Sequence, residues 1–178
     1  MKIAIHGPMC SGKTTIANII QKYNNDFITL SFGGKIKDIA KELFNMKNKD
    51  RSLLISIASK LREIDEDVWV KYVINQASSI ENCIIDDLRF QNELNYLDKW
   101  IIISLTTPKD IRIKRIKELY PENFEDHMKN MNHISENDCI TFLSKINLLN
   151  FAKTSSIKLK FIANDMNYLS CRELIDIL

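Results

Sequence analysis

Gly7-Pro8-Met9-Cys10-Ser11-Gly12-Lys13-Thr14 satisfies the pattern G-x-x-x-x-G-K-[ST] at every fixed position. The pattern carries a mechanism. Glycines let backbone N–H groups close around a phosphate chain, the lysine reaches the terminal oxygens, and the hydroxyl ligates Mg²⁺. Chance would place it in roughly one chain of this length in a few hundred. Its flanks fit as well: Lys2-Ile3-Ala4-Ile5-His6 reads as a short buried strand and Thr15–Ile20 as the start of a helix. Strand, loop and helix in that order predict a phosphate-binding turn after the first strand, with Gly7, Ser11, Gly12, Lys13, Thr14 and Thr15 around the phosphates.

Apolar runs alternate with helical patterns along the rest of the chain. Phe27–Leu30 reads as a strand, and Ile36, Ile39, Ala40, Leu43 and Phe44 recur at helical spacing. Leu54, Ile57, Ala58 and Leu61 mark the next helix, and Asp65 is placed to cap another carrying Val68, Trp69, Tyr72, Val73 and Ala77. Cys83-Ile84-Ile85 runs apolar into Asp86-Asp87. A helical stretch at Gln91–Leu97 precedes the strand Trp100–Leu105 and a basic helix over Pro108–Leu119. The tail predicts helices near Ile140–Asn150 and Ser170–Leu178 around a strand at Lys158–Ala163. This alternation predicts an α/β fold with a doubly wound parallel sheet, whose ligands lie beyond the carboxyl ends of the strands.

The 178 residues suit one domain, and no linker divides them. A net charge of +2 gives no field to hold nucleic acid stably, and no apolar run is long enough to cross a membrane. Four scattered cysteines without a paired motif read as reduced thiols, which predicts a cytoplasmic protein. Cys10 is either a reactive thiol beside the phosphates or a small filler.

Phosphoryl transfer needs a phosphate cradle, a metal site and cations for the charge that develops in transit. Lys13 and Thr14 begin that set, and Asp86, ending an apolar strand, is the expected second Mg²⁺ residue beside Thr14. Arg112 and Arg115 stand three apart on the basic helix, with Ile113 and Ile116 on another face; they are the expected catalytic cations of a closing segment. Arg89 follows the acidic turn closely. Arg62 precedes a run of acids and suits either an ion pair or a bound phosphate. Arg51 is a weaker candidate. Trp69 and Phe32 suit either a base stack or the core.

Taken in order, the loop, Lys35-Ile36-Lys37-Asp38-Ile39-Ala40, Lys49-Asp50-Arg51, Arg62-Glu63-Ile64-Asp65, Asp67-Val68-Trp69-Val70, Asp87-Leu88-Arg89-Phe90-Gln91-Asn92-Glu93 and His133-Ile134-Ser135-Glu136 resemble the deoxynucleoside monophosphate kinases of bacteriophages and large DNA viruses. Within that resemblance D-[VL]-R-F-x-N-E is the most distinctive part. The likeness implies a P-loop kinase of five parallel strands, with a monophosphate-binding region over about 32–80 and a lid over about 110–140. It implies ATP as donor, Mg²⁺ as cofactor and a deoxynucleoside 5′-monophosphate as the small-molecule acceptor. Lys35, Arg62, Trp69, Asp87, Arg89, Ser135 and Glu136 would then face the acceptor, and Asn164 the donor base. A homodimer stays open. Animal-type phosphomevalonate kinases share the loop, a D-x-R turn and a Ser-Glu pair, so a non-nucleotide phosphate acceptor is the alternative. A non-catalytic ATP-binding switch is the third reading.

Overall fold

A computed structural model of the chain describes residues 1–133 and 158–163. Five parallel strands form one sheet: β1 (Lys2–His6), β2 (Ile28–Leu30), β3 (Cys83–Leu88), β4 (Ile101–Thr106) and β5 (Lys158–Ala163), ordered β2-β3-β1-β4-β5. β5 is described by its backbone alone, which pairs with β4 from Ile101↔Lys158 to Thr106↔Ala163. The doubly wound parallel fold expected from the sequence is the observed one. The two tail helices of the sequence reading lie outside the described residues.

Parallel strands need both faces covered, and the alternation of side chains shows how that is done. Ile3, Ile5, Ile84, Ile101, Ile103 and Leu105 point to one face, where α1 (Lys13–Tyr23) covers them with Ile16, Ala17 and Ile20. Ala4, Cys83, Ile85 and Ile102 point to the other. There Val70, Val73 and Ala77 of α4 (Val68–Ser78), with Leu94 of α5 (Gln91–Asn95), Leu97 and Trp100, close the core. Ile3, Ile5, Ile84, Ile85, Ile102 and Ile103 are fully buried, each contributing roughly 1.5–3 kcal/mol.

A smaller apolar cluster joins α2 (Gly34–Phe44), α3 (Arg51–Ile64) and α4. Trp69 is its largest member, buried against Ile36, Ala40, Ile57 and Ala58, with its indole N–H donating to the Ala58 carbonyl at 3.2 Å. Trp69, expected to stack on the substrate, thus lies at the junction of three helices and off the lining of the cavity described below. Asp65 ends α3 instead of opening α4, and its carboxylate takes the Asp67 N–H and the Lys71 ammonium just before and inside the next helix.

After β4, α6 (Lys109–Leu119) and α7 (Phe124–Lys129) form an arm that returns toward α3. Asp126 of α7 accepts from the Arg51 N–H at 2.7 Å and the Ser52 hydroxyl at 2.5 Å, while the Asn130 amide donates to Ser52 at 3.0 Å. Asp50 caps α3 from its own side by accepting from Leu53 N–H at 2.8 Å. The orphan amides of α3 are thus satisfied from two directions, one of them across the tertiary fold.

Candidate active site

The loop after β1 opens directly into α1, as the sequence predicts. Gly12 has φ 100°, in the left-handed region where a side chain is strained, and it stands at the N-terminus of α1. Gly7 is needed for a different reason. A Cβ there would come within 2.6 Å of the Ser11 Oγ and 3.1 Å of the Leu105 carbonyl. Lys13 is buried, its ammonium donating to the carbonyls of Gly7 at 2.7 Å and Pro8 at 2.8 Å. Around this loop lies a cavity of about 740 Å³, large enough for a small-molecule site.

Asp86 and Asp87 reach it by an irregularity no sequence pattern announces. β1 and β3 pair Ala4 with Ile85 but His6 with Leu88, so the two aspartates oppose the single residue Ile5. Such a bulge breaks strict alternation and lets neighbouring side chains serve different partners on one side. Asp86 accepts from the Thr14 hydroxyl at 2.8 Å. Burial, then the adjacent Asp87, pushes its carboxyl above the usual range. Two hard oxygen donors with a carboxylate short of positive charge fit Mg²⁺, which is bound by one or two carboxylates plus phosphates and not by a full protein cage. The described residues contain no cluster of three ligating side chains that would suggest another metal.

Asp87 lines the cavity, and its carboxylate works as a clamp. It accepts from Ser31 Oγ at 2.6 Å, Phe32 N–H at 2.8 Å and Gly33 N–H at 2.8 Å, fixing the turn between β2 and α2. Asp87, expected to face the acceptor, thus also supports the cavity wall. Phe32 is buried in the sheet core, although it borders the cavity.

The D-[VL]-R-F-x-N-E stretch separates into distinct tasks. Arg89 lines the cavity. Phe90 lies under Arg62, whose guanidinium carbon is 4.5 Å from the ring centroid. Asn92 donates to the Asp67 carboxylate at 2.9 Å and so ties α5 to the turn before α4. Glu93 is buried, accepting from Arg89 N–H at 2.6 Å and Phe90 N–H at 2.9 Å, with Arg62 Nη2 3.9 Å away. Burial raises the Glu93 carboxyl to about 7, against the lowering pull of those amides and of Arg62. Burial also lowers the Arg62 guanidinium, which Glu93 partly offsets.

A carboxyl raised on folding favours the native state while protonated. Glu93 should therefore withdraw stability as pH rises from about 4.5 through about 7, on the order of 3 kcal/mol in total. Glu93→Gln keeps an acceptor for the two amides but carries no charge. Relative to wild type it should gain stability at pH 8 and show little difference at pH 4.5. Chemical denaturation at the two pH values checks this, and equal differences at both would refute the burial account.

The remaining expected residues divide. Ser11, Gly12, Lys13, Thr14, Thr15, Arg62, Arg89 and Arg115 line the cavity together, and the Arg115 guanidinium donates to the Cys10 carbonyl at 3.1 Å. Gly7 lies behind that surface, touching it through Lys13. Arg112, expected as a catalytic cation, does not line it: residues 112 and 116, one helical turn apart, share the inward face of α6, so Arg112 is buried. Ile113 and Ile116 pack against Met9, as the helical spacing suggests. Lys35 is likewise off the cavity, and Lys37 on the same helix lines it instead. Ser135, Glu136 and Asn164 lie outside the described residues.

Sequence reasoning missed Lys37, Lys49, Tyr120 and the role of Glu93, and undervalued Arg51. Lys49 and Arg51 stood in a quoted stretch, but nothing local showed that they face the loop. Among the described residues the cavity carries seven Lys or Arg and four Asp or Glu, a concentrated excess in a chain of net charge +2.

The AAA domain model matches residues 3–136, three-quarters of the chain and the whole stretch from β1 through the cavity residues. The chain belongs to the AAA domain family. That is a coarser assignment than the deoxynucleoside monophosphate kinases of phages and large viruses. No curated protein matches the sequence. Among solved structures, this AAA domain chain is similar to a shikimate kinase from Acinetobacter baumannii in complex with shikimate, at 18% identity and TM-score 0.52, covering 98% of this chain and 88% of that one. A gluconokinase from Sinorhizobium meliloti 1021 matches at 11% identity and TM-score 0.49, over 99% and 87%. At such identities the likeness to the shikimate kinase shows the fold. No helix among the described residues is long and apolar enough to cross a membrane.

Proposed function

We propose that this chain transfers the γ-phosphate of ATP to a small acceptor that itself carries a phosphate, with a deoxynucleoside 5′-monophosphate as the first reading. One observation carries the proposal. The cavity has a phosphate loop with Lys13, Thr14 and Asp86 on one side and a second set of cations, Arg51, Arg62 and Arg89, on other elements. A switch that binds one nucleotide needs only the first set. Bringing two phosphates together needs both, because the acceptor anion must approach another anion.

In this reading Lys13 leaves its loop carbonyls for the β- and γ-oxygens, and the amides at the start of α1 hold the chain. Mg²⁺ held by Thr14 and Asp86 would offset charge on the bridging phosphates. Arg115, reaching over the loop from α6, meets charge on the group in transit. Arg62 and Arg89 orient the acceptor phosphate, with Phe90 and Glu93 fixing the plane of Arg62. The 178 residues act as one domain, with about 32–80 serving the acceptor and about 110–140 closing over the donor. We place the protein in the cytoplasm.

A second reading is a phosphorylated non-nucleotide acceptor of the phosphomevalonate type, which the same two sets of cations would serve. Purified protein assayed with ATP, Mg²⁺, the four deoxynucleoside monophosphates and phosphomevalonate separates the readings. Turnover on a deoxynucleotide supports the first, turnover on phosphomevalonate alone the second, and ATP binding without transfer to any acceptor refutes both.

Arg89→Ala should raise the acceptor KM about 10- to 100-fold, the loss of one charge-assisted contact of roughly 1.5–3 kcal/mol, with a smaller change in ATP KM. Steady-state kinetics with each substrate varied in turn checks this. An unchanged acceptor KM and kcat would remove Arg89 from the acceptor site.

A further inference from the structure

Lys49 lies between α2 and α3 and has no task in the scheme above. Its side chain lines the cavity with the phosphate loop and with Arg51 and Arg89. Its ammonium is 3.3 Å from the Tyr120 hydroxyl and 4.6 Å from the centroid of the same ring. Among the described residues it makes no ion pair with a carboxylate. Arg62, by contrast, has Glu93, and Lys13 has two carbonyls.

A half-buried cation on a wall shared with Arg51 and Arg89, with the Tyr120 phenol as its hydrogen-bond partner, is poorly compensated. Burial first, then Arg51, Lys37 and Arg89, pull the Lys49 ammonium down to about 8, with Cys10 acting the other way. The cavity lining places Lys49 together with Cys10 of the phosphate loop and with Arg51 and Arg89. Tyr120 cannot swing away freely, since its ring stacks on His127 at 4.4 Å and 9°, and His127 is buried and bonded to the Asn123 carbonyl at 2.8 Å.

Resting on the phosphoryl-transfer reading, we propose that Lys49 is a catalytic residue that contacts the phosphoryl group in transit, at the seam between the phosphate loop and the Arg62–Arg89 wall. An acceptor phosphate oxygen attacks as an anion and bonds to the γ-phosphorus. The bond from that phosphorus to the bridging oxygen breaks, and ADP leaves with the electron pair. Lys49 remains an ammonium throughout and gives up no proton; it offsets charge on the equatorial oxygens. Tyr120 is a positioning residue, holding the ammonium at the seam until an anion arrives.

The charge must be present, so kcat/KM should fall as pH rises through about 8. The groups facing Lys49 are Lys37 of α2, Arg51 of α3, Arg89 after β3, Cys10 of the loop, and Tyr120 and His127 of the arm. Burial keeps His127 neutral at these pH values and raises the Tyr120 phenol above its ordinary range, so neither supplies that fall. Cys10→Ser tests the thiol separately and should leave the alkaline fall in place.

Lys49→Met should lower kcat about 100-fold at pH 7 and raise ATP KM about tenfold, since the ammonium meets the terminal phosphate before transfer as well as during it. Lys49→Arg should keep activity and lose the fall near pH 8, because the guanidinium stays charged. The second readout needs no acceptor. Calorimetric binding of inorganic tripolyphosphate should weaken about tenfold in Lys49→Met at pH 7 and be largely retained in Lys49→Arg. Thermal melts of both variants report folding. Equal tripolyphosphate affinity in wild type and Lys49→Met overturns the proposal, as does an unchanged kcat. If wild type transfers to no acceptor, the transfer reading fails on its own, and the tripolyphosphate comparison alone decides whether Lys49 meets the anion.

Discussion

Lys13→Ala should abolish transfer, lowering kcat/KM by about 10³-fold or more. The ammonium is the only charged group inside the phosphate loop, and it is buried, so solvent screens it little. Its loss removes a contact that strengthens as charge moves onto the bridging oxygen, so kcat should suffer more than ATP affinity. Stability should change by about 1 kcal/mol, the scale of the hydrogen bonds that Lys13 gives to the Gly7 and Pro8 carbonyls. Activity with each substrate saturating, beside a thermal melt, separates these effects. A variant that melts normally and still turns over within tenfold of wild type would show that the loop does not hold the donor.

The second large effect is structural and then functional. Asp87→Ala should cost about 3–4 kcal/mol, because Ser31 Oγ, Phe32 N–H and Gly33 N–H lose one shared anionic acceptor. In a chain of this size that lowers Tm by roughly 10 °C. Asp87→Asn should fall between: its carbonyl can serve one amide, but its NH₂ faces the other donor. The acceptor KM should rise as well, since the clamped turn forms part of the cavity wall. Denaturant unfolding measures the first effect, and a wild-type midpoint for Asp87→Ala would show that the turn holds without its clamp.

These two residues mark how far the sequence could be read. Lys13 was legible because its task is encoded within eight consecutive residues, and strand, loop and helix follow the chain without interruption. The apolar run into Asp86 was legible for a similar reason, as a buried strand that ends where ligands gather. Asp87 was named for a site but given another task, because its partners lie 54 to 56 residues earlier and depend on a bulge between β1 and β3. Trp69 and Arg112 show the limit of helical periodicity. Spacing says which residues share a face, and the tertiary fold decides whether that face meets the core or the cavity. Lys49 was hidden for the converse reason. Its partner Tyr120 lies 71 positions away, and only the return of α7 to α3 brings them together.

That return has a consequence for how two ligands would influence each other. With the Arg51 amide held by Asp126 and Ser52 shared between Asp126 and Asn130, the start of α3 and α7 are tied into one hydrogen-bonded panel. Ordering the cavity side chains that this panel carries costs conformational entropy, and the first ligand to order them incurs that cost for both. The second ligand then meets a wall already in place, so donor and acceptor should bind with positive synergy even where they never touch.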